Sequence, residues 1–363
     1  MTFKMNRLAL AAAALVLSAS AQAQMGSQLA VNDTVGRTPT TGNTSAPSNW
    51  RFAPGQVFNG VAGALDGVAQ LSFSNSQGNW ACSGSLLQGG QYVLTAAHCA
   101  DDYTSMTVEF GWYAGSAAVT RTVAVGASTV HPLWDGTLDT GADIAIMKLN
   151  APVTTIAGYK LSNTNDVGKV HLMAGYGTTQ DANVNAGTNW NDWQYGHYAY
   201  NTFDVISQDF GAAVWGDPAS YYAPGATYMV DFDNGTAQQN ILQRVNDLVG
   251  GTWSSGTGLG ANEGLIAGGD SGGGDFVWNG SEWLLSGVHS WGWQACGYFG
   301  LNCNTAPANP SSYGDLSGST ATFSHIGWIN SVTAVPEPGS VALMLAGLAA
   351  IVGVSRRRKQ RQA

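Results

Sequence analysis

An all-β fold is the first prediction of this sequence, and three observations make it. Charged residues are only 10% of the chain, while glycine alone supplies 48 of 363 residues and Ser, Thr, Asn and aromatics are common. That composition suits many short strands joined by turns. Cys82-Ser83-Gly84-Ser85-Leu86-Leu87 and Tyr92-Val93-Leu94-Thr95 form two apolar runs separated by Gln88-Gly89-Gly90-Gln91, which reads as a hairpin. Asp143 heads the alternating apolar run Ile144-Ala145-Ile146-Met147-Lys148-Leu149, as a strand entering a core would. One stretch departs from this pattern. Gln238 to Leu248 has helical spacing, with Ile241, Leu242, Val245 and Leu248 on one face.

Three segments carry the chemistry. Gly269-Asp270-Ser271-Gly272-Gly273 offers a hydroxyl on a backbone free enough to aim N–H groups at one point. A serine hydroxyl is a poor nucleophile near neutral pH and needs a base and a nest of donors for the resulting oxyanion. Leu94-Thr95-Ala96-Ala97-His98-Cys99 supplies the imidazole beside a cysteine, with small residues that leave the ring room to reach elsewhere. Asp143 fits the third requirement, a buried carboxylate that orients the ring. In chain order the set is His98, Asp143, Ser271, and each motif alone also reads as an ordinary turn, structural histidine or strand-edge acid.

In this order the motifs resemble the trypsin/chymotrypsin family of serine proteases, from about Val57 to about Val332. The resemblance implies two antiparallel six-stranded β-barrels with a C-terminal helix near Trp328-Ile329, a serine endopeptidase activity and no cofactor. His98 would be the base, Asp143 its orienting carboxylate, and Ser271 the nucleophile. The N–H groups of Gly269 and Ser271 would form the oxyanion hole. Gly175-Tyr176-Gly177 resembles the turn that opens the second barrel, and Ser290-Trp291-Gly292 the strand that pairs with substrate. By family spacing Leu265 lies near the floor of the specificity pocket, with Glu263 two residues earlier. Ser290, Trp291, Gly292 and Gly318 would shape its walls. A Leu265 floor implies apolar or small side chains at the cleaved bond.

Four cysteines imply two disulfides in an exported chain. The family pattern implies Cys82–Cys99 behind His98. Its usual bridge near the nucleophile is missing, so Cys296–Cys303 is expected as a local staple. A metal site is the alternative for that pair, although no Cys-x-x-Cys or His-Glu-x-x-His spacing supports it. The family also inserts a new N-terminus against the aspartate before the nucleophile, here Asp270. Val57-Phe58-Asn59-Gly60 is a rough match to that terminus, but Gln56 precedes it. His131 reads as a loop residue and His289 as a strand residue near the pocket; His171, His197 and His325 have no motif around them. Gly274 replaces the proline usual after the nucleophile turn.

The ends read as addresses. Residues 1–24 have a basic start at Lys4 and Arg7, an apolar stretch from Leu8 to Leu17 and a small-residue cleavage site at Ala21-Gln22-Ala23. Residues 25–56 read as a disordered leader or pro-segment. The protease-like region is expected over 57–332. At 335–361, Val335-Pro336-Glu337-Pro338, an apolar helix at 339–355 and the cluster Arg356, Arg357, Arg358, Lys359 and Arg361 resemble the PEP-CTERM sorting signal of Gram-negative bacteria. The resemblance implies an exosortase-type enzyme as partner, with an inner-membrane-anchored precursor that is then released to the surface, matrix or medium. Permanent anchoring is the alternative reading.

Removing both ends leaves roughly 310 residues, ample for a two-barrel core. Net charge is −9, and seven of the 14 Lys and Arg lie in the two ends. The acidic body argues against nucleic acid as a partner. Protein or peptide substrates remain, as do two non-enzymatic alternatives: an inactive homologue that binds proteins, or a surface or matrix protein. The aromatic-dense stretch between Thr178 and Gly264 reads as extra strands and loops packing on the second barrel, or as a rim that selects substrates.

Overall fold

The computed structural model describes residues 47–179, 192–216, 225–304, 306 and 311–334. The expected signal segment (1–24) and apolar tail helix (339–355) lie outside the described residues. Among the described residues, no helix is long and apolar enough to cross a membrane. The chain divides into a unit up to Ile326 and a second from Gly327 onward. The C-terminal helix spans Ile326–Thr333 and contains the expected Trp328-Ile329.

The fold is mostly β, in two large antiparallel sheets. The N-terminal segment supplies β1 (Arg51–Phe52), β2 (Val57–Phe58) and β3 (Val61–Ala62). The first large sheet uses β4 (Val68–Asn75), β5 (Gly78–Leu86), β6 (Tyr92–Thr95), β7 (Ser105–Phe110), β8 (Val119–Val123), β9 (Ser128–Val130) and β10 (Ala145–Lys148). These lie in the order β8-β7-β4-β5-β6-β10-β9. The second uses β11 (Val170–Gly175), β12 (Gly196–Thr202), β13 (Val205–Ile206), β14 (Thr227–Asp231), β15 (Gly274–Trp278), β16 (Trp283–Trp293) and β17 (Leu316–Ala321). With β1 at one edge its order is β1-β12-β11-β15-β16-β17-β14-β13.

The sheets therefore hold seven and eight strands, where six each were expected. The additions are short edge strands. β9 pairs with β10 as the chain approaches His131, and β13 pairs with β14. β1 comes from the expected disordered leader, which from Pro47 onward is folded instead. Burial explains this correction. Trp50 and Phe52 are buried, and Phe52 meets Tyr176 edge-on at a centroid distance of 5.4 Å. Arg51 forms an ion pair with Asp192 and lies 3.6 Å from the centroid of Tyr195. Aromatic and cation–π contacts of this kind offset the entropy of ordering a short edge strand.

The helical stretch forms Ile241–Val249, capped by the Asn240 side chain, which accepts the Gln243 N–H at 2.8 Å. Ile241, Leu242 and Val245 are buried as predicted, but Leu248, in the last turn, is 60% exposed. The 178–264 stretch also contains a helix, Ser207–Val214, where strands and loops were expected.

Beside the start of helix Ile241–Val249 lies a buried carboxyl cluster. Asp231 accepts the Leu242 N–H at 2.8 Å, and Glu263 accepts the Asp233 N–H at 2.7 Å. Burial and mutual repulsion push these acids up: Asp231 to about 7, Asp233 to about 10, Glu263 to about 8, with Asp204 well above the usual range. The native state thus holds protons that the unfolded chain releases near pH 4. Stability should fall as pH rises through this window. The thermal midpoint is expected to be a few degrees higher at pH 5 than at pH 9, and Asp233→Asn should flatten that slope. A midpoint that rises toward pH 9 in calorimetry contradicts this account.

Candidate active site

The first sheet delivers His98 and Asp143 to the same place. β6 ends at Thr95, and the tight turn Ala97–Cys99 carries His98. β10 pairs antiparallel with β6, Ala145 opposite Thr95 and Ile146 opposite Leu94. Following that register backward from Ala145 brings Asp143 alongside the His98 turn. Asp143 is fully buried. Its Oδ1 accepts the His98 backbone N–H at 3.0 Å, and its Oδ2 lies 2.8 Å from His98 Nδ1. The Ser290 hydroxyl, from β16 in the second sheet, donates to the same Oδ2 at 2.5 Å. Thr320 donates to the Asp143 carbonyl at 3.1 Å.

With Nδ1 donating to a carboxylate, the neutral ring leaves Nε2 as the proton acceptor. Burial lowers the His98 pKa, but the charge and hydrogen bond of Asp143, with Asp101 beyond, outweigh it and hold the pKa above 6.5.

The second sheet delivers Ser271 on the turn before β15. The Asp270 N–H donates to the Ala267 carbonyl at 2.9 Å, and the Gly273 N–H to the Asp270 carbonyl at 2.8 Å. Two glycines make the turn feasible. Gly269 has φ +97°, and Gly272 has φ +80° with a Cβ position only 2.0 Å from Thr95 Oγ1. Any side chain at 272 would push the turn off the strand that leads to His98. Ser83 ties the two halves together. Its N–H donates to the Ser271 carbonyl at 2.7 Å and its hydroxyl to the Gly269 carbonyl at 2.9 Å. Ser271 is 7% exposed. Among the described residues, the N–H groups of Gly269 and Ser271 have no hydrogen-bond partner. They are the pair expected to receive an oxyanion.

Both disulfides form, Cys82–Cys99 and Cys296–Cys303. The second closes the metal alternative for its pair, since a bonded sulfur is not a thiolate ligand. The first lies between the two halves of the site: Cys99 Sγ is 3.7 Å from the Ser271 carbonyl oxygen, and both its sulfurs lie within 4.8 Å of a His98 ring nitrogen. Closing that loop stabilises the fold by about 3 kcal/mol in the chain-entropy model.

The remaining expected residues divide. Leu265 is fully buried in a cluster with Phe203, Tyr228, Val230, Phe232 and Val277, so its side chain packs into the second sheet's core. Trp291 pairs across β16 and β17 with Gly318, and its indole lies over the glycine: a Cβ there would meet Trp291 Cε2 at 2.2 Å. Gly292 is half-buried beside it. Ser290, expected to help shape the pocket walls, has its hydroxyl directed at Asp143 and the Leu138 carbonyl. The bond to Asp143 escaped sequence reasoning because it crosses between the sheets.

His131 receives the Leu133 N–H and meets His325 edge-on at 4.7 Å. His197 pairs with Asp192, His325 faces the Gly141 carbonyl, and His171 and His289 share Asp275. The carboxylate of Asp270 accepts the N–H groups of Gly177 and Ala267 at 2.8 and 3.0 Å. Val57, the expected new N-terminus, is 58% exposed in the β2–β3 hairpin.

The family model described as Trypsin matches residues 59–201. The resemblance to the trypsin family is thus borne out over residues 59–201. The match includes His98 and Asp143 and stops at Asn201, before the Ser271 turn. The PEP-CTERM protein-sorting motif matches residues 334–359. Among solved structures, HL collagenase aligns with a TM-score of 0.50 and 18% identity, covering 79% of this chain and 97% of that one. That likeness is one of fold alone. The protease Anisep from Arthrobacter nicotinovorans aligns at 14% identity with a TM-score of 0.42, covering 70% of this chain and 90% of that one. Beyond residue 201 the chain contains the two helices Ser207–Val214 and Ile241–Val249, ahead of the Ser271 turn.

Proposed function

We propose that this protein is an exported serine endopeptidase that cleaves peptide bonds through an acyl-enzyme. The single observation that carries the reading is the doubly bonded His98–Asp143 pair beside a serine turn with two unengaged N–H donors. Ser271 attacks the scissile carbonyl, His98 takes its proton at Nε2 and returns it to the leaving amine, and Asp143 holds the tautomer. Gly269 and Ser271 N–H groups receive the oxyanion. Ser290, Trp291, Gly292 and Gly318 form or support the pocket that takes apolar or small side chains, and Leu265 contributes from the core of the second sheet and not as an open floor.

The two N–H groups received by the Asp270 carboxylate support a site that forms without insertion of Val57. The protease domain runs from 57 to 332, with β1 of the preceding segment added to the edge of its second sheet. Residues 1–24 act as the export signal, and 335–361 is the address read by an exosortase-type enzyme, its 339–355 helix anchoring the precursor in the inner membrane.

A fluorophosphonate probe tests the reading. It should label Ser271, and the labelling rate should rise with pH through a value above 6.5, because His98 acts as a base only after losing the proton that Asp143 helps it keep. No labelling at any pH between 6 and 9 would favour the inactive, protein-binding homologue.

A further inference from the structure

A second imidazole lies directly behind the nucleophile turn. His289 on β16 is fully buried. Its Nδ1 is 3.2 Å from the Asp270 carbonyl oxygen, and its Nε2 is 2.9 Å from Asp275 Oδ1. The backbone clamps it there: the Gly272 N–H donates to the His289 carbonyl at 2.8 Å and the His289 N–H to the Gly273 carbonyl at 2.9 Å. A carbonyl only accepts, an ionised carboxylate only accepts, and a neutral imidazole owns one N–H. Filling both positions requires the imidazolium.

The surroundings can hold that charge. Asp275 on β15 faces His289 on one side and His171 of β11 on the other, with His171 Nε2 at 3.3 Å. His171 is stacked on Phe203, its ring nitrogens make no hydrogen bond, and burial lowers its pKa to about 4. It is therefore neutral, and Asp275 has one cation to balance. Burial opposes charge on His289, but Asp275, with the carboxylate and carbonyl of Asp270, outweighs it.

The Asp270 carbonyl and the Ser271 N–H belong to one peptide unit. A charged donor at the oxygen draws electron density through the amide and makes the N–H a stronger donor. The other oxyanion peptide lacks such help, since the Gly268 carbonyl receives the neutral Thr178 N–H at 2.9 Å. We infer that His289, held as an imidazolium by Asp275, is a positioning residue that polarises the Asp270–Ser271 peptide and strengthens the Ser271 N–H toward the oxyanion. This rests on the peptidase reading above.

The test uses the full chain, with active sites counted by fluorophosphonate titration so that kcat refers to folded enzyme only. His289→Gln is expected to lower kcat on a peptide amide roughly tenfold with KM unchanged. Asp275→Asn keeps the shape but removes the charge that retains the His289 proton. Its kcat relative to wild type should fall progressively from pH 6 to pH 9. Nitrogen-15 spectra of the wild-type ring, assigned by its loss in His289→Gln, should show both nitrogens protonated at pH 7. A neutral ring, an unchanged kcat per site in His289→Gln, or a ratio independent of pH in Asp275→Asn overturns the inference alone. A wild-type chain that neither labels nor hydrolyses peptides overturns the peptidase reading, and this inference with it.

Discussion

Ser271→Ala should lower kcat on a peptide substrate by about 10⁶-fold and abolish fluorophosphonate labelling. The size follows from the arrangement: with the hydroxyl gone, His98 has no proton to take, so the base and the carboxylate lose their use together. The fold should survive. The turn is held by the Ser271 carbonyl, which accepts the Ser83 N–H, and by Gly272, which donates to His289, and neither bond involves the hydroxyl. Residual hydrolysis should come from oxyanion donors and substrate binding alone. The comparison needs a peptide amide and a purified chain with an unchanged thermal midpoint. Activity within tenfold of wild type would assign the chemistry to another group.

Asp143→Asn should lower kcat by about 10⁴-fold with little change in KM. The carboxylate accepts three donors: the His98 N–H, His98 Nδ1–H and the Ser290 hydroxyl. An amide of the same size has one accepting oxygen and an NH₂ group that only donates. If that group faces the ring, Nδ1 must become the acceptor and the proton moves to Nε2, where it blocks removal of the serine proton. If the amide turns the other way, its NH₂ takes the Oδ1 position and meets the His98 backbone N–H, a donor facing a donor, while its oxygen keeps the ring and the Ser290 hydroxyl. Either orientation leaves the substrate surface untouched, which is why kcat and not KM should respond. A tenfold effect or less would mean that Asp143 anchors the fold without tuning the base.

Much of the site was legible from short motifs because each motif answers a local demand. The glycines around Ser271 are needed for positive φ and close approach, and Ala96 and Ala97 for packing under His98. The cysteine at 99 could be matched with Cys82 only through the family pattern, and the two do pair. Helix Ile241–Val249 was visible from its period, and its exposed Leu248 from nothing local. The folded segment at 47–56 was hidden for a different reason. Two aromatics and one arginine among polar residues look like solvent-exposed chain until Tyr176, Tyr195 and Asp192 are known to meet them.

By itself, the sequence determined the β class and offered three candidate groups in order, because turn chemistry and strand alternation act over a few residues. Tertiary structure alone decided that Ser290 bonds Asp143, that Leu265 joins the core, and that His289 bridges Asp275 to the Asp270 carbonyl. Those contacts depend on strand register and on how one sheet packs against the other. A shift of one residue along a strand turns every side chain to the opposite face, and short motifs do not encode that choice.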